Sequence, residues 1–213
     1  MKIYIPLKIK HSYLDLCIKS IEKYKNNIIL INQTSLNNKE LDYLEVEVVN
    51  PPSMAKFTSV MNWIQKDAIN RNLEYYIWMH SDCELKNDVI PELIDAFKKD
   101  KIDIFLPSYD AISITNIDVA KSIHWDEHFN WYYSDNDFYR MANILGFNIR
   151  YSMSYEGIIH HVSQTLKHME SYEKSQFDIK NAKDSILYSK KWGGSPQNEK
   201  YLRPYNRITL KKE

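Results

Sequence analysis

The triplet His80-Ser81-Asp82 follows Tyr75–Met79, a run of apolar and aromatic residues typical of a buried strand. Open α/β sheets bind ligands in a crevice at the carboxyl ends of their strands, so the triplet lies where a ligand would bind. A carboxylate at a strand end can hold Mg²⁺ or Mn²⁺ while phosphate oxygens take the remaining coordination positions. The triplet therefore predicts that Asp82 is a metal ligand, with a turn or helix-capping aspartate as the structural alternative.

Two further acids, Asp135 and Asp137, lie at the start of a helix-like stretch that ends before Gly146. Aspartates at helix starts often accept hydrogen bonds from free backbone amides and oppose the positive end of the helix dipole. Because residues two apart on a helix point in different directions, one acid could cap the helix while the other faces a cleft. A carboxylate close to an acceptor hydroxyl could remove its proton. Both acids are therefore candidate catalytic residues.

The pair His160-His161 ends a late strand-like segment, Gly157–His161. Neighbouring side chains on a strand point to opposite faces, so only one of the two histidines can reach a shared site. A lone histidine is more often a packed or surface residue. If Asp82 lies nearby, a neutral imidazole could complete the metal shell, which makes His160 and His161 alternative metal ligands.

Composition restricts the classes of function. The 213 residues, 44% of them hydrophobic, suit one domain with one core. Lys+Arg 28 balances Asp+Glu 28, so the basic excess that supports most nucleic-acid binding is missing. With only four glycines, the chain contains neither a P-loop nor a GxGxxG turn, and a bound diphosphate would need a metal or cationic side chains.

Targeting and redox signals are weak. The amino-terminal residues lack the apolar core of a signal peptide, and no segment approaches the roughly 20 apolar residues that span a bilayer, so we expect a cytoplasmic protein. Two cysteines, Cys17 and Cys83, are too few for a disulfide framework, so we expect reduced thiols.

Strand-like and helix-like stretches alternate through the first two thirds of the chain, which is typical of an α/β fold. The predicted strands are Lys2–Leu7, Ile28–Asn32, Leu44–Val49, Tyr75–Met79, Asp103–Pro107, Asn148–Ser152 and Gly157–His161. The predicted helices are Tyr13–Lys25, Met54–Asn70, Val89–Lys99, Asp135–Leu145 and most of Leu166–Lys191.

The order of these features resembles the inverting GT-A glycosyltransferases of the family-two type. The resemblance extends from about Met1 to Trp192 and implies the GT-A nucleotide-diphospho-sugar transferase fold, a mostly parallel central sheet flanked by helices. The resemblance rests on the first strand with its proline, the loop Asn32-Gln33-Thr34-Ser35, the helix segment Lys56–Asn62, His80-Ser81-Asp82, Asp135-x-Asp137 and His160.

The resemblance assigns individual residues to donor and metal binding. Asp82 matches the last acid of the family's DxD motif, whereas His80 stands where the family usually has an acid, so the metal shell would be differently composed. His160 matches the family's metal histidine better than His161 does. The residues assigned to the donor are Pro6, Leu7, Asn32, Thr34, Lys56, Asn62, His80, Ser81 and Lys191.

The resemblance also implies a mechanism. Asp135 matches the catalytic base of the family's Asp-x-Asp element, with Asp137 in support, although Ser134 stands where the family has Glu. Attack by the acceptor hydroxyl on the face opposite the leaving group inverts the anomeric centre without a covalent intermediate. Four aromatic residues that precede the base could stack on an acceptor sugar or fill the core: Trp125, Trp131, Tyr132 and Tyr133.

The implied activity is transfer of a hexose from a UDP-sugar to a growing glycan or glycoprotein, with Mn²⁺ or Mg²⁺. The chain also resembles the N-terminal glycosyltransferase domain of a multidomain chlorella-virus protein, which would place residues 1–213 in a longer viral protein that acts in the host cytoplasm, with a capsid protein as acceptor. Two alternatives stay open. A nucleotidyltransferase also binds metal on an α/β sheet, and an inactive sugar-binding module would use the aromatic residues alone.

Overall fold

The computed structural model describes residues 1–50, 56–162 and 164–206. The strands are β1 (Ile3–Leu7), β2 (Ile28–Asn32), β3 (Glu47–Val49), β4 (Tyr75–Met79), β5 (Cys83–Leu85), β6 (Ile104–Ser108), β7 (Ile112–Asn116), β8 (Ile149–Tyr151) and β9 (Ile158–His160). The helices are α1 (Tyr13–Ser20), α2 (Phe57–Asn70), α3 (Ile90–Lys99), α4 (Ile117–Ser122), α5 (Ser134–Ile144), α6 (Gln164–Lys167) and α7 (Ser171–Trp192).

The central sheet has seven strands in the order β3-β2-β1-β4-β7-β6-β8. Neighbouring strands are parallel except at β7, which runs antiparallel to both β4 and β6. The chain lays down β1, β2 and β3 in one direction and then adds β4 on the other side of β1. Doubly wound sheets bind ligands at such a reversal. The carboxyl ends of β1 and β4 therefore mark the expected site.

Helices cover both faces of this sheet, so its strands are buried on both sides. In β1, Ile3 and Ile5 pack with the side chains of α1 and α3, whereas Tyr4, on the opposite face, packs with those of α2 and α4. All five residues of β2 are buried, which explains its near-continuous apolar sequence. The α/β architecture with a mostly parallel sheet flanked by helices is thus confirmed.

A second, two-stranded sheet pairs β5 with β9 in antiparallel fashion, with Cys83 opposite His160. It begins directly after Asp82, whose carbonyl accepts a hydrogen bond from the amide of His161 at 2.9 Å. Cys83 and Leu85 point into the core. This pairing therefore brings a segment from late in the sequence to the carboxyl end of β4.

Several predicted boundaries differ from the observed ones. The predicted strand Leu44–Val49 begins later, at Glu47, because Leu44 closes a 3-10 turn capped by Asn37 and packs into the core. The predicted helix Tyr13–Lys25 divides into α1 and a 3-10 turn, Glu22–Asn27. The predicted start of the second helix at Met54 lies outside the described residues. Three elements were not expected, namely β5, β7 and α4.

Two sequence expectations concern the whole chain. Cys17 and Cys83 are buried free thiols, as expected. Within the described part of the chain, every helix is too short or too polar to cross a membrane.

Candidate active site

A cleft of about 830 Å³, which includes space open to solvent, lies at the carboxyl ends of β1 and β4. The strand order arranges its walls, because β2 and β1 end on one side of β4 and the turn between β6 and β7 lies on the other. The structure brings six of the predicted site residues to this cleft: Pro6, His80, Ser81, Trp131, Tyr132 and Asp135. The two sides of the sheet reversal therefore share one cavity.

The centre of the site is a cluster of His80, Asp82 and His160, whose potential ligand atoms all lie within 4.8 Å of one another. Nε2 of His160 is 3.2 Å from Oδ1 of Asp82, and Nδ1 of His80 is 3.8 Å from the same oxygen. Two imidazole nitrogens and one carboxylate oxygen suit a divalent metal, especially a transition metal. The cluster therefore fits the metal expected at Asp82. His80 is a candidate ligand in it, whereas the resemblance assigned His80 to donor binding.

Main-chain geometry holds Asp82 in this cluster. Its Oδ2 accepts a hydrogen bond from the backbone amide of Gln164 at 3.2 Å, which leaves Oδ1 facing the two imidazoles. Burial by itself would raise the pKa of Asp82, but the hydrogen bond with His160 and the nearby His80 ring outweigh it and hold that pKa below its usual range. The carboxyl group is therefore ionised, as a metal ligand must be.

The neighbouring histidine points away from the cluster. Nε2 of His161 lies 2.9 Å from Oε2 of Glu84, and its ring stacks on Tyr13 with 4.1 Å between centroids. Strand alternation separates His160 from His161, as the sequence predicts. The interpretation of His161 as a metal ligand is therefore replaced by a structural one, in which it joins β9 to α1.

Ser81 has a buried partner that the sequence analysis missed. Its hydroxyl lies 3.0 Å from Nε2 of His11, and both side chains are buried. Burial lowers the pKa of His11, which favours the neutral ring. The contact therefore fixes the loop after β4 to the segment before α1. The two residues are 70 positions apart, so no local sequence pattern predicts this contact.

On the other side of β4, Asp135 lies in the first turn of α5 and lines the cleft. The hydroxyl of Tyr109 donates a short hydrogen bond to its Oδ2. Burial raises the pKa of Asp135, the Tyr109 hydrogen bond opposes this shift, and the nearby charge of Asp110 adds to it, so the net direction is upward. A carboxylate with a raised pKa is a stronger base, which is the property a proton acceptor requires. Tyr109 and Asp110 were not predicted.

Asp137 does not face the cleft. It accepts a hydrogen bond from Nε1 of Trp192 at 2.8 Å and forms an ion pair with Lys191 at 2.9 Å. Lys191 also forms an ion pair with Asp126 at 2.7 Å. Burial would lower the pKa of Lys191, but its two carboxylate partners outweigh this and hold that pKa above its usual range. The resemblance assigns Lys191 to the donor. In the structure, Lys191 instead ties α7 to α5.

A second contact from α7 supports the aromatic wall of the cleft. The buried carboxylate of Asp184 accepts hydrogen bonds from the backbone amides of Asn130 and Trp131, each at 2.9 Å. It also accepts one from the side-chain amide of Asn130 at 2.9 Å. The long helix α7 thus holds the loop that precedes Asp135 as well as the helix that carries it.

The four predicted acceptor aromatics divide into two groups. Trp131 and Tyr132 line the cleft, where Trp131 stacks on Phe57 with 6.2 Å between centroids. Trp125 is only 3% exposed and stacks on Phe138 at 4.4 Å, so it belongs to the core and offers no surface to an acceptor. Tyr133 packs beside Tyr188.

The side of the cleft nearest β1 and β2 is where a nucleotide base was expected, and of the residues that line it there only Pro6 had been assigned to the donor. Pro6, Lys8 and Gln33 line the cleft there. Leu7 is fully buried, so only its backbone could border a ligand. Asn32 organises the adjacent loop, because its side-chain oxygen accepts hydrogen bonds from both the amide and the hydroxyl of Thr34.

Two donor-binding predictions on α2 and its cap have structural partners. Lys56 donates from its amine to the carbonyl of Glu127 at 2.7 Å. Asn62 accepts a hydrogen bond from the amide of Trp125 and donates one to its carbonyl. Both side chains therefore fix the segment that follows α4, instead of pointing into the cleft.

Comparison with protein-family models finds no match, and comparison with curated proteins finds none either. Among solved structures, the chain is similar to Staphylococcus aureus TarS residues 1–349 in complex with UDP-GlcNAc, at 11% identity and a TM-score of 0.61, covering 89% of this chain and 71% of that one. It covers 43% of a longer TarS chain.

Two other solved structures share this architecture. Mycobacterium tuberculosis glucosyl-3-phosphoglycerate synthase, in complex with Mn²⁺, UDP and phosphoglyceric acid, matches at 10% identity and a TM-score of 0.58 over 78% of this chain and 72% of that one. A cytidylyltransferase from Leptospira borgpetersenii serovar Hardjo-bovis matches at 12% identity and a TM-score of 0.51 over 86% and 95%. At these identities the likeness concerns the fold alone, and the fold is that of the GT-A nucleotide-diphospho-sugar transferases.

Proposed function

We propose that this protein is a metal-dependent inverting glycosyltransferase that moves a hexose from a UDP-sugar to an acceptor hydroxyl. The observation that carries the proposal is one cleft, at the reversal point of a GT-A sheet, bordered by a cluster of potential metal ligands and by a half-buried carboxylate with a raised pKa. The S. aureus TarS complex with UDP-GlcNAc and the M. tuberculosis synthase complex with Mn²⁺ and UDP support this choice of donor and cofactor.

The donor would lie across the ends of β1 and β4. Pro6 and Gln33 would border the base, and Lys8 would add positive charge near the phosphates. His80, Asp82 and His160 would hold the divalent cation. When bound, this cation supplies a Lewis acid that neutralises charge on the departing diphosphate, which a chain without a glycine loop needs.

Asp135 would act as the general base. Its carboxylate accepts the proton of the acceptor hydroxyl, and the hydrogen bond from Tyr109 orients it for that transfer. Attack on the donor face opposite the diphosphate inverts the anomeric centre in one displacement. Asp137 contributes only by holding α5 in place through Lys191 and Trp192.

The acceptor would be a glycan or a glycoprotein. Trp131 and Tyr132 present aromatic surface beside Asp135, where they could stack on the apolar face of a sugar ring. Phe57 and Trp78 extend the same wall and would help to exclude water from the reacting centre. The viral context, the cytoplasmic location and the lack of nucleic-acid binding stay predictions from the sequence.

Thermal shift with a panel of nucleotide sugars tests the proposal. A ligand that binds only the native state stabilises it by about 2.7 kcal/mol at 100 times its Kd. A UDP-hexose with Mn²⁺ should therefore raise Tm well above Mn²⁺ alone, and release of UDP should follow when an acceptor is added. If CDP- and GDP-sugars stabilise the protein and UDP-sugars do not, the donor assignment is wrong.

One observation favours a second candidate, a nucleotidyltransferase, because the cytidylyltransferase shares the fold over 95% of its own chain. The products separate the two reactions. A nucleotidyltransferase releases pyrophosphate from a nucleoside triphosphate and a phosphorylated substrate, whereas the proposed enzyme releases UDP from a UDP-sugar. The third alternative, an inactive sugar-binding module, predicts binding to glycan with no Mn²⁺-dependent hydrolysis of any nucleotide sugar.

A further inference from the structure

The composition of the metal cluster points to a particular class of ion. We propose that the His80-Asp82-His160 cluster selects a later transition-metal dication, such as Co²⁺ or Zn²⁺, over Mg²⁺, and that His80 sets this selectivity. The inference rests on the proposed function in that it concerns the same metal site. It goes beyond that function by naming the ion class and the residue responsible.

The cluster offers one carboxylate and two imidazoles. Mg²⁺ demands oxygen ligands in near-octahedral geometry, whereas imidazole nitrogen suits Zn²⁺, Ni²⁺, Fe²⁺ and Cu²⁺. Among the residues that the structure describes, only these three side chains form a group of metal-binding atoms within 4.8 Å of one another. Mg²⁺ would therefore find a single carboxylate there, while a transition metal would find three suitable ligands.

Nearby oxygen atoms are committed elsewhere. The second oxygen of Asp82 accepts the Gln164 amide hydrogen bond, which disfavours bidentate chelation. Glu84, the next acid along the chain, contacts Lys86 at 2.6 Å and His161 at 2.9 Å on the opposite face of β5. Asp110 lines the same cleft and interacts electrostatically with His80. Among the described residues, however, no carboxylate besides Asp82 belongs to the group of potential ligand atoms within 4.8 Å of one another.

His80 is the position at which this choice can be reversed. Its backbone amide donates to the carbonyl of Ala111 at 2.9 Å, which fixes the start of the loop after β4 independently of the side chain. The His80 side chain is 32% exposed, so an aspartate can replace it without burying a new charge deeply. The substitution exchanges a nitrogen ligand for an oxygen ligand at an otherwise unchanged site.

The charge of the site changes with the same substitution. A dication held by one carboxylate and two neutral imidazoles keeps one net positive charge, whereas a second carboxylate would cancel it. The natural site therefore keeps more attraction for a diphosphate, and the affinity for UDP should depend more steeply on bound metal in the natural protein than in His80→Asp.

Metal binding without nucleotide tests the proposal directly. Competition with a chromogenic chelator should give Kd values for Mg²⁺, Mn²⁺, Co²⁺ and Zn²⁺ on the natural protein, His80→Asp and His161→Ala. Changes in the outer partners of metal ligands already alter affinity by about 10- to 100-fold, so exchanging a ligand should shift the ratio of Zn²⁺ to Mg²⁺ affinity by at least about 10-fold toward Mg²⁺. His161→Ala, the matched control, should leave the ratio unchanged.

Pulsed electron paramagnetic resonance of bound Mn²⁺ adds a readout that is independent of affinity and turnover. The natural protein should show nitrogen couplings from two imidazoles, and His80→Asp from one. Equal affinities for Mg²⁺ and Zn²⁺, or an unchanged ratio in a folded His80→Asp protein, would overturn the selectivity while leaving the glycosyltransferase proposal standing. Failure of the natural protein to bind any of the four ions would overturn both.

Discussion

The two aspartates on either side of β4 are adjusted in opposite directions by their surroundings. Burial by itself raises the pKa of both. At Asp82 the hydrogen bond with His160 and the nearby His80 ring outweigh burial, so the pKa is lowered. At Asp135 burial prevails over the hydrogen bond from Tyr109, so the pKa is raised. The same residue type is therefore held in its charged form on one side and made a stronger base on the other.

The supports of the two sides differ as well. The metal side is held by main-chain contacts, namely the pairing of β5 with β9 and the amide of Gln164. The base side is held by buried side-chain contacts from α7, through Lys191 and Asp184. Main-chain support tolerates substitution of surface side chains, whereas a buried charge network fails when one member is removed. The base side should therefore be the more sensitive to mutation of residues outside the cleft.

Removal of the base should give the largest effect. Asp135→Asn keeps the size of the side chain but cannot accept the acceptor's proton, so turnover at saturating donor should fall by about 10²–10⁴-fold. Affinity for the UDP-sugar should change little, because the donor lies across β1 and β4. Steady-state kinetics with calorimetric donor binding measure the two quantities.

The comparison variant is Asp137→Asn, whose residue is on the same helix but faces Lys191 and Trp192. It should lose stability while each folded molecule keeps near-normal turnover. Near-normal turnover in Asp135→Asn would show that the base is misassigned, and Asp110, the other carboxylate that lines the cleft, would then be tested next.

Disruption of the α7 network should give the next effect in size. Lys191→Met leaves Asp126 and Asp137 without their shared cation, and breaking a buried pair costs roughly 3 kcal/mol of unfolding free energy. Urea denaturation measures this loss. Lys190→Met, the exposed neighbour on the same helix, is the matched control and should lie within about 0.5 kcal/mol of the natural protein. Equal stability of the two variants would contradict the assigned role of α7.

Removal of the charge at the metal side should have a smaller effect, confined to metal and donor. Asp82→Asn preserves an oxygen for the Gln164 amide, so the fold should stay intact. Affinity for Mn²⁺ should fall by at least about 10-fold, and metal-dependent binding of a UDP-sugar should fall with it. Calorimetry measures both, with the exposed Asp95→Asn as control. Unchanged Mn²⁺ affinity would remove Asp82 from the metal shell.

The smallest expected effect is a shift in pH dependence. Tyr109→Phe removes a hydrogen bond that lowers the pKa of Asp135. That pKa should rise, because the carboxylate loses a hydrogen bond that favours its charged form. Because the deprotonated carboxylate is the base, activity is lost as pH falls through this pKa, and the acidic limb of the kcat/KM profile should move to higher pH.

Other groups near Asp135 keep their contributions in this variant. Asp110, Tyr139, Tyr132 and His80 are close enough for electrostatic interaction with it. Tyr155→Phe, whose hydroxyl contacts Glu92 outside the cleft, is the control. An acidic limb that stays in place, or moves to lower pH, would mean that Tyr109 does not tune the base.

Local sequence patterns predict most helices and strands well, but they predict poorly which segments contact one another in the fold. The strands Ile28–Asn32 and Tyr75–Met79 match their predicted bounds, because long apolar runs between turn residues are local signals. The strand β7 was missed although Ile112, Ile114 and their polar neighbours alternate regularly. That pattern suggests a half-exposed strand, but Ser113 and Thr115 are buried against each other.

Contacts within the site depend on pairing between distant segments. The position of His160 beside Asp82 follows from the register of β5 and β9, and three-residue strands give too short a pattern to predict. Lys191 was assigned to the donor because a lysine before Trp192 resembles a family segment. Its real partners, Asp126 and Asp137, lie 65 and 54 residues earlier in the chain. Only the folded helix α7 shows that the charge is already neutralised.

The order of synthesis follows from the place of α7 in the sequence. A ribosome adds roughly 5–20 residues per second, and domains acquire structure as their segments emerge. His160 emerges before Lys191 and Trp192, so a nascent chain holds every member of the metal cluster before it can anchor α5. The residues of the His80-Asp82-His160 cluster are therefore all synthesised before the end of the helix that anchors Asp137 on α5.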